Sequence, residues 1–146
     1  MSGHYFDAAY IAKCYLHEPD AAAVRALARS SPFLSTSALS IAEVACVFHR
    51  HVREGTLKSK TAAQVRDAFF EDIESDTWIL VPVTNIILRR VEAMARTLPS
   101  STFLRAGDAI HVVSAVEAGF HEIWTNDRHL LAAAAHFGLQ GRSVHL

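Results

Sequence analysis

Cysteine is scarce in this 146-residue chain, which has two, Cys14 and Cys46, both outside any C-x-x-C spacing. That excludes a disulfide scaffold and a dithiol redox motif, and it suits a reducing, cytoplasmic setting in which both thiols read as small buried apolar residues. No uncharged apolar run approaches the ~18 residues that a membrane-spanning helix needs, so no membrane association is expected. The opening stretch MSGHYFDAAYIAK has no basic region followed by an apolar segment, and hence no signal-peptide pattern. Excess charge of either sign is also missing. The formal net charge is −1, so any contact with nucleic acid must come from a local basic face. Repeats and long linkers are absent too, and the sequence reads as one domain over residues 1–146.

What is present is an alternation of short apolar segments with helical patterns. HYF, SPFLSTS, TWILVPV and EIWTN read as strands, and RSVHL as a possible last one. Between them, AAYIAKCYL, AAAVRALARS, SIAEVACVFHRHV, KTAAQVRDAFFEDIES, TNIILRRVEAMARTL, RAGDAIHVVSAVEAG and DRHLLAAAAHFG carry helical spacing. In SIAEVACVFHRHV the residues in register are Ile41, Val44, Ala45, Phe48 and Val52. In the helix after TWILVPV they are Leu88, Val91, Ala95 and Leu98, a stripe that reads as core with a share available to a homodimer or antitoxin surface. Short strands alternating with helices predict an α/β fold with a central parallel sheet of four to five short strands flanked by helices. In such sheets ligands bind beyond the carboxyl ends of the strands.

Four acids sit at helix starts, and three of those starts lie where that rule points. Asp7 follows HYF, Glu43 lies in the first turn of the helix after SPFLSTS, and Asp127 follows EIWTN. Asp108 lies in the first turn of a helix that follows a loop. Each alone is explained by helix capping, which stabilises by ~1 kcal/mol, and Ser40-Ile41-Ala42-Glu43 spells a capping box. Asp20 opens a helix with no strand close before it and is assigned the cap role only. Capping does not explain the set. Carboxylates gathered at one sheet edge repel and raise one another's pKa. A hard divalent cation, Mg²⁺ or Mn²⁺, resolves the repulsion and points to metal-dependent phosphoester chemistry.

The same segments resemble the PIN-domain ribonucleases, and within them the VapC toxins of toxin–antitoxin pairs. The resemblance runs over nearly the whole chain, through YFDAAYIAKCYLHEPDAAAVRAL, LSTSALSIAEV, LRAGDAIHVVSA and WTNDRHLLAAAAHFGL in order. It implies a PIN-like fold and a Mg²⁺- or Mn²⁺-dependent endoribonuclease whose acids are Asp7, Glu43, Asp108 and Asp127. It further implies an RNA substrate cut to 5′-phosphate and 3′-hydroxyl ends, and restraint by a cognate VapB-type antitoxin. On the same resemblance Asp7 and Asp108 are the firmest metal ligands, Glu43 ligates or orients the attacking water, and Asp127 is a further ligand, directly or through water. Thr125, Asn126 and Ser37 are candidates for supporting hydrogen bonds. One departure is Ala9, where the family often has Ser or Asn.

Other readings fit less well. An early D-x-D phosphatase motif is missing, since Ala8 and Ala9 follow Asp7, and STSALS lacks the phosphorylated Asp of a receiver domain. The same metal chemistry also allows a nuclease of RNA processing or DNA metabolism that has no antitoxin. Nine histidines show no zinc-ligand spacing; His49 and His51 point apart, and His111 reads as a hydrogen-bonded core residue. Arg50, Arg53, Lys58 and Lys60, with Arg89, Arg90 and Arg105, are the candidate phosphate contacts.

Overall fold

The computed structural model describes residues 3–145. In chain order the elements are β1 (His4–Tyr5), α1 (Ala8–Lys13), α2 (Ala21–Ser30), β2 (Leu34–Ser37), α3 (Ser40–Arg53), α4 (Ser59–Glu74), β3 (Trp78–Val81), α5 (Asn85–Thr97), α6 (Ala106–Glu117), β4 (Glu122–Trp124), α7 (Arg128–Ala134) and β5 (Gln140–Arg142), with a 3₁₀ turn at Ala135–Phe137.

Every strand pairing is parallel: β2 lies between β1 and β3, and β4 pairs with β5. A parallel bridge from Phe6 to Trp124 joins the two sets, which gives the order β3-β2-β1-β4-β5. The order reverses between β1 and β4. At such a switch point the connections leave to opposite faces and open a crevice at the carboxyl ends.

The pleat of β1 divides the core. Successive side chains point to opposite faces, so Phe6 joins one apolar cluster with Ile11, Val24, Val44, Phe48, Phe69 and Trp78. Tyr5 joins the other with Ile87, Met94, Val112, Ile123 and Leu130. Helices α1 to α4 thus cover one set of residues and α5 to α7 the other. Strand β2, between β1 and β3, is buried throughout although three of its four residues carry hydroxyls. Each hydroxyl is satisfied: Ser35 donates to the Ile79 carbonyl, Thr36 donates to the Phe6 carbonyl, and Ser37 accepts from the Leu39 N–H. Buried polar groups persist only on such terms.

Several expectations are corrected. The last strand is Gln140–Arg142 rather than RSVHL, whose final residue, Leu146, lies outside the described residues. Gly141 explains the choice. A Cβ there would stand 2.9 Å from the Leu131 side chain, so only glycine lets β5 lie under α7. The first helix ends at Lys13, because Cys14 and Tyr15 tighten into bonds to Ile11 and Ala12 three residues back. On α5 the inward set is Ile87, Val91, Met94 and Leu98, while Leu88 and Ala95 face solvent. On α3, Ala45 is likewise exposed. Cys14 is half-buried, with burial pushing its thiol up to about 12, but Cys46 is exposed and so is no core residue.

Candidate active site

The crevice is built from helix starts. Asp7 follows β1 and caps α1, its Oδ1 accepting from the Tyr10 N–H at 2.9 Å. Asp127 follows β4 and caps α7, its Oδ1 accepting from His129 and Leu130 N–H at 2.8 and 3.4 Å. Glu43 and Asp108 occupy the first turns of α3 and α6. All four acids line a single cleft of about 590 Å³. The sequence had placed only three of them at the sheet edge; the docking of α6 beside β2 brings in Asp108.

Capping accounts for Asp7 and Asp127 but not for the other two. The residue before α3 is Leu39, and no side chain caps that helix, so Ser40 and Glu43 do not form the expected capping box. Ser40 is instead buried against the Thr36 hydroxyl at 2.7 Å. Asp108 Oδ2 is buried and has no hydrogen-bond partner. An unpaired buried carboxylate oxygen carries the full desolvation penalty. Burial and then the charge of Asp127 raise the Asp108 pKa, with Arg105 opposing. Burial also raises Asp7 above the ordinary carboxylate range, despite hydrogen bonds from Thr125 and Tyr10.

This donor set suits a hard cation. Four carboxylates line the cleft, two of them with raised pKa, and one has an oxygen without any protein partner. Among the described residues no three His, Cys, Asp or Glu side chains converge into a protein-only cage. Mg²⁺ does not ask for one, since it keeps several waters and binds through one or two carboxylates plus substrate phosphate.

Around the acids, Thr125 does what a supporting residue would. Its hydroxyl donates to Asp7 Oδ2 at 2.5 Å and accepts from the Asp127 N–H at 3.0 Å, so it ties two of the acids together. Asn126 lines the cleft but its amide is turned to structural work. Its Oδ1 accepts from Tyr10 Oη and Ser143 Oγ, both at 2.7 Å, and its Nδ2 donates to Asp20 at 2.5 Å. Asp20 holds the N-cap position of α2 without a side-chain cap bond, and its carboxylate instead meets Lys13 at 2.8 Å and His145 at 3.0 Å. Asn126→Ala removes three bonds from a half-buried group and should cost about 2–3 kcal/mol of stability. Urea unfolding measures this, and a loss below ~0.5 kcal/mol would mean that the clasp does not hold in solution. Ser37 shapes the turn into α3 and is not among the cleft-lining residues. Ala9 is exposed on the cleft wall and offers no hydrogen bond there.

Two contributors escaped the sequence reading. His111 is buried and hydrogen-bonded, as expected for a core residue, but one of its partners is Glu43: Nε2 lies 2.6 Å from Oε1. Its Nδ1 lies 2.8 Å from Tyr5 Oη. A carboxylate only accepts, so Nε2 carries a proton, and in the neutral ring Nδ1 accepts from the Tyr5 hydroxyl. Burial raises the Tyr5 pKa and keeps that hydroxyl protonated. The available signal was spacing, since His111 stands three residues after Asp108 on one face of α6. Gly107 is the second contributor: a Cβ there would come 3.2 Å from Glu43 Oε2. Of the candidate basic residues, Arg50 and Arg105 line the cleft and the other five do not.

The sequence model described as PIN domain matches residues 5–136, a span that includes all four acids. Comparison with curated proteins gave no match.

Proposed function

Because this chain belongs to the PIN-domain family, whose members are typically nucleases and generally use divalent metal ions, we propose that it is a Mg²⁺- or Mn²⁺-dependent endoribonuclease of the VapC toxin type. The observation that carries the reading is the single cleft in which Asp7, Glu43, Asp108 and Asp127 meet two arginines. When bound, the ion neutralises charge on the phosphoryl oxygens and makes water a better nucleophile. The protein does the rest. Asp7 and Asp108 would hold the ion, with Asp127 as a further ligand, and Thr125 keeps Asp7 and Asp127 in register. Glu43, fixed by His111, orients the attacking water. Water adds to phosphorus and the bond to the 3′ oxygen breaks, leaving 5′-phosphate and 3′-hydroxyl ends. Arg50 and Arg105 contact the backbone phosphates, which a chain of net charge −1 would not otherwise attract.

The toxin assignment rests on the four sequence blocks and brings with it a cognate antitoxin and a homodimer. Exposed Ile86 and Leu88 on α5 are the apolar surface that such a partner would cover. Expression in a bacterial host should arrest growth, and co-expression of a small protein encoded beside it should relieve the arrest. Growth without arrest, together with intact nuclease activity, would instead mark an RNA-processing or DNA-acting nuclease.

A further inference from the structure

Beside the cleft-lining Arg105 stand two ring side chains, Phe103 and His129, that have no role in the cleavage proposed above. Phe103 stands on the loop between α5 and α6 and is 50% exposed. Its ring centroid lies 4.5 Å from that of His129, and the Arg105 guanidinium carbon lies 5.6 Å from the same ring. Both neighbours belong to the acidic site. Arg105 lines the cleft, and His129 donates its backbone N–H to Asp127.

An exposed phenylalanine alone is ordinary. A phenylalanine grouped with an imidazole and with a guanidinium that lines the acidic cleft has the composition of a base-stacking platform. Every base has a π face, so stacking on aromatic and arginine planes tolerates any sequence but requires the base to be unpaired. We infer that Phe103, flanked by Arg105 and His129, is a stacking subsite for an unpaired base next to the scissile phosphate of an RNA strand. Such a subsite takes only an unpaired base, because bases within an A-form helix are already stacked on both sides. Arg105 serves both halves of the contact, lying beside the ring and on the cleft wall. The inference rests on the nuclease reading for the identity of the strand.

The test separates the two. A short fluorescein-labelled unpaired RNA is titrated into Asp108→Asn protein with Mn²⁺ and followed by anisotropy, so that binding is read without turnover. Adding Phe103→Ala should raise Kd roughly 5- to 30-fold, and Phe103→Trp should return it to within ~2-fold, whereas Phe103→Leu should not. In the otherwise native enzyme Phe103→Ala should raise KM by a similar factor with kcat within ~2-fold. Its Tm should be nearly unchanged, since the position is exposed. An unchanged Kd, full restoration by leucine, or an equal loss on duplex RNA would overturn the subsite. Equal binding of single-stranded DNA with an equal loss would overturn its assignment to RNA. If the native enzyme cleaves no RNA while the Phe103 series behaves as expected, the nuclease reading fails and the stacking subsite stands.

Discussion

Asp108→Asn is expected to lower metal-dependent RNA cleavage by roughly 10³-fold or more and, at the same time, to raise the melting temperature of the metal-free protein. The loss follows from removing a carboxylate that holds the ion, whose charge stabilisation in the transition state is worth several kcal/mol. The gain follows from the native environment. Asp108 Oδ2 is buried without a partner, and burial and Asp127 raise its pKa above the ordinary 3.8. A carboxyl whose native pKa exceeds its unfolded value binds more protons when folded. Its contribution to stability is therefore greatest below the unfolded pKa and is lost as pH rises through the native one. At neutral pH the ionised Asp108 is a cost that asparagine removes, on the order of 1 kcal/mol, or about 2–4 °C. Thermal scans should show this difference at neutral pH and little of it below 3.8. Added Mn²⁺ should stabilise the native protein more than the variant. A variant that melts lower than the native protein at neutral pH would show that Asp108 is a structural acid.

His111→Leu carries the second large effect. It strips Tyr5 Oη and Glu43 Oε1 of their partner at once, inside a site that His111 fills with only 1% exposure. Orphaning the buried Tyr5 hydroxyl should cost about 1–3 kcal/mol of stability. Releasing Glu43 should lower kcat by roughly 10- to 100-fold, the range typical of groups that orient a metal site, with KM for RNA little changed. Tyr5→Phe should act in the same direction but more weakly, since Glu43 keeps its donor. Steady-state kinetics at saturating Mn²⁺ separates the roles. A kcat unchanged in His111→Leu, alongside a lowered Tm, would reduce His111 to core packing.

Both variants concern residues that the sequence exposes unequally. The alternation of short strands and helices was legible, and with it the carboxyl edge where Asp7 and Asp127 had to lie. Asp108 was legible as an acid in the first turn of a helix, but no strand precedes it, so its convergence on the same cleft was not. Polar contacts across long sequence separations were not legible. Glu43 matches a local capping pattern, yet a partner 68 residues away, His111, claims its side chain. Asp20 looked like a cap for the same local reason and was claimed by Lys13, Asn126 and His145. On α5 the spacing of Leu88, Val91, Ala95 and Leu98 was helical, but Ile87 and Met94 fit the periodicity equally well. Only the docked neighbour decides which stripe is buried. The strand β5 was missed because Gln140-Gly141-Arg142 has no apolar residue to announce it.

In the proposed reaction Asp7, Asp108 and Asp127 hold a divalent ion and Glu43 orients water for cleavage of RNA. The most direct test is incubation of the purified protein with single-stranded RNA in Mn²⁺, with mapping of the product ends. The account predicts internal cleavage leaving 5′-phosphate and 3′-hydroxyl termini, lost in excess EDTA and in both Asp7→Ala and Asp108→Ala. Cleavage that persists in EDTA, or in both variants, would contradict it.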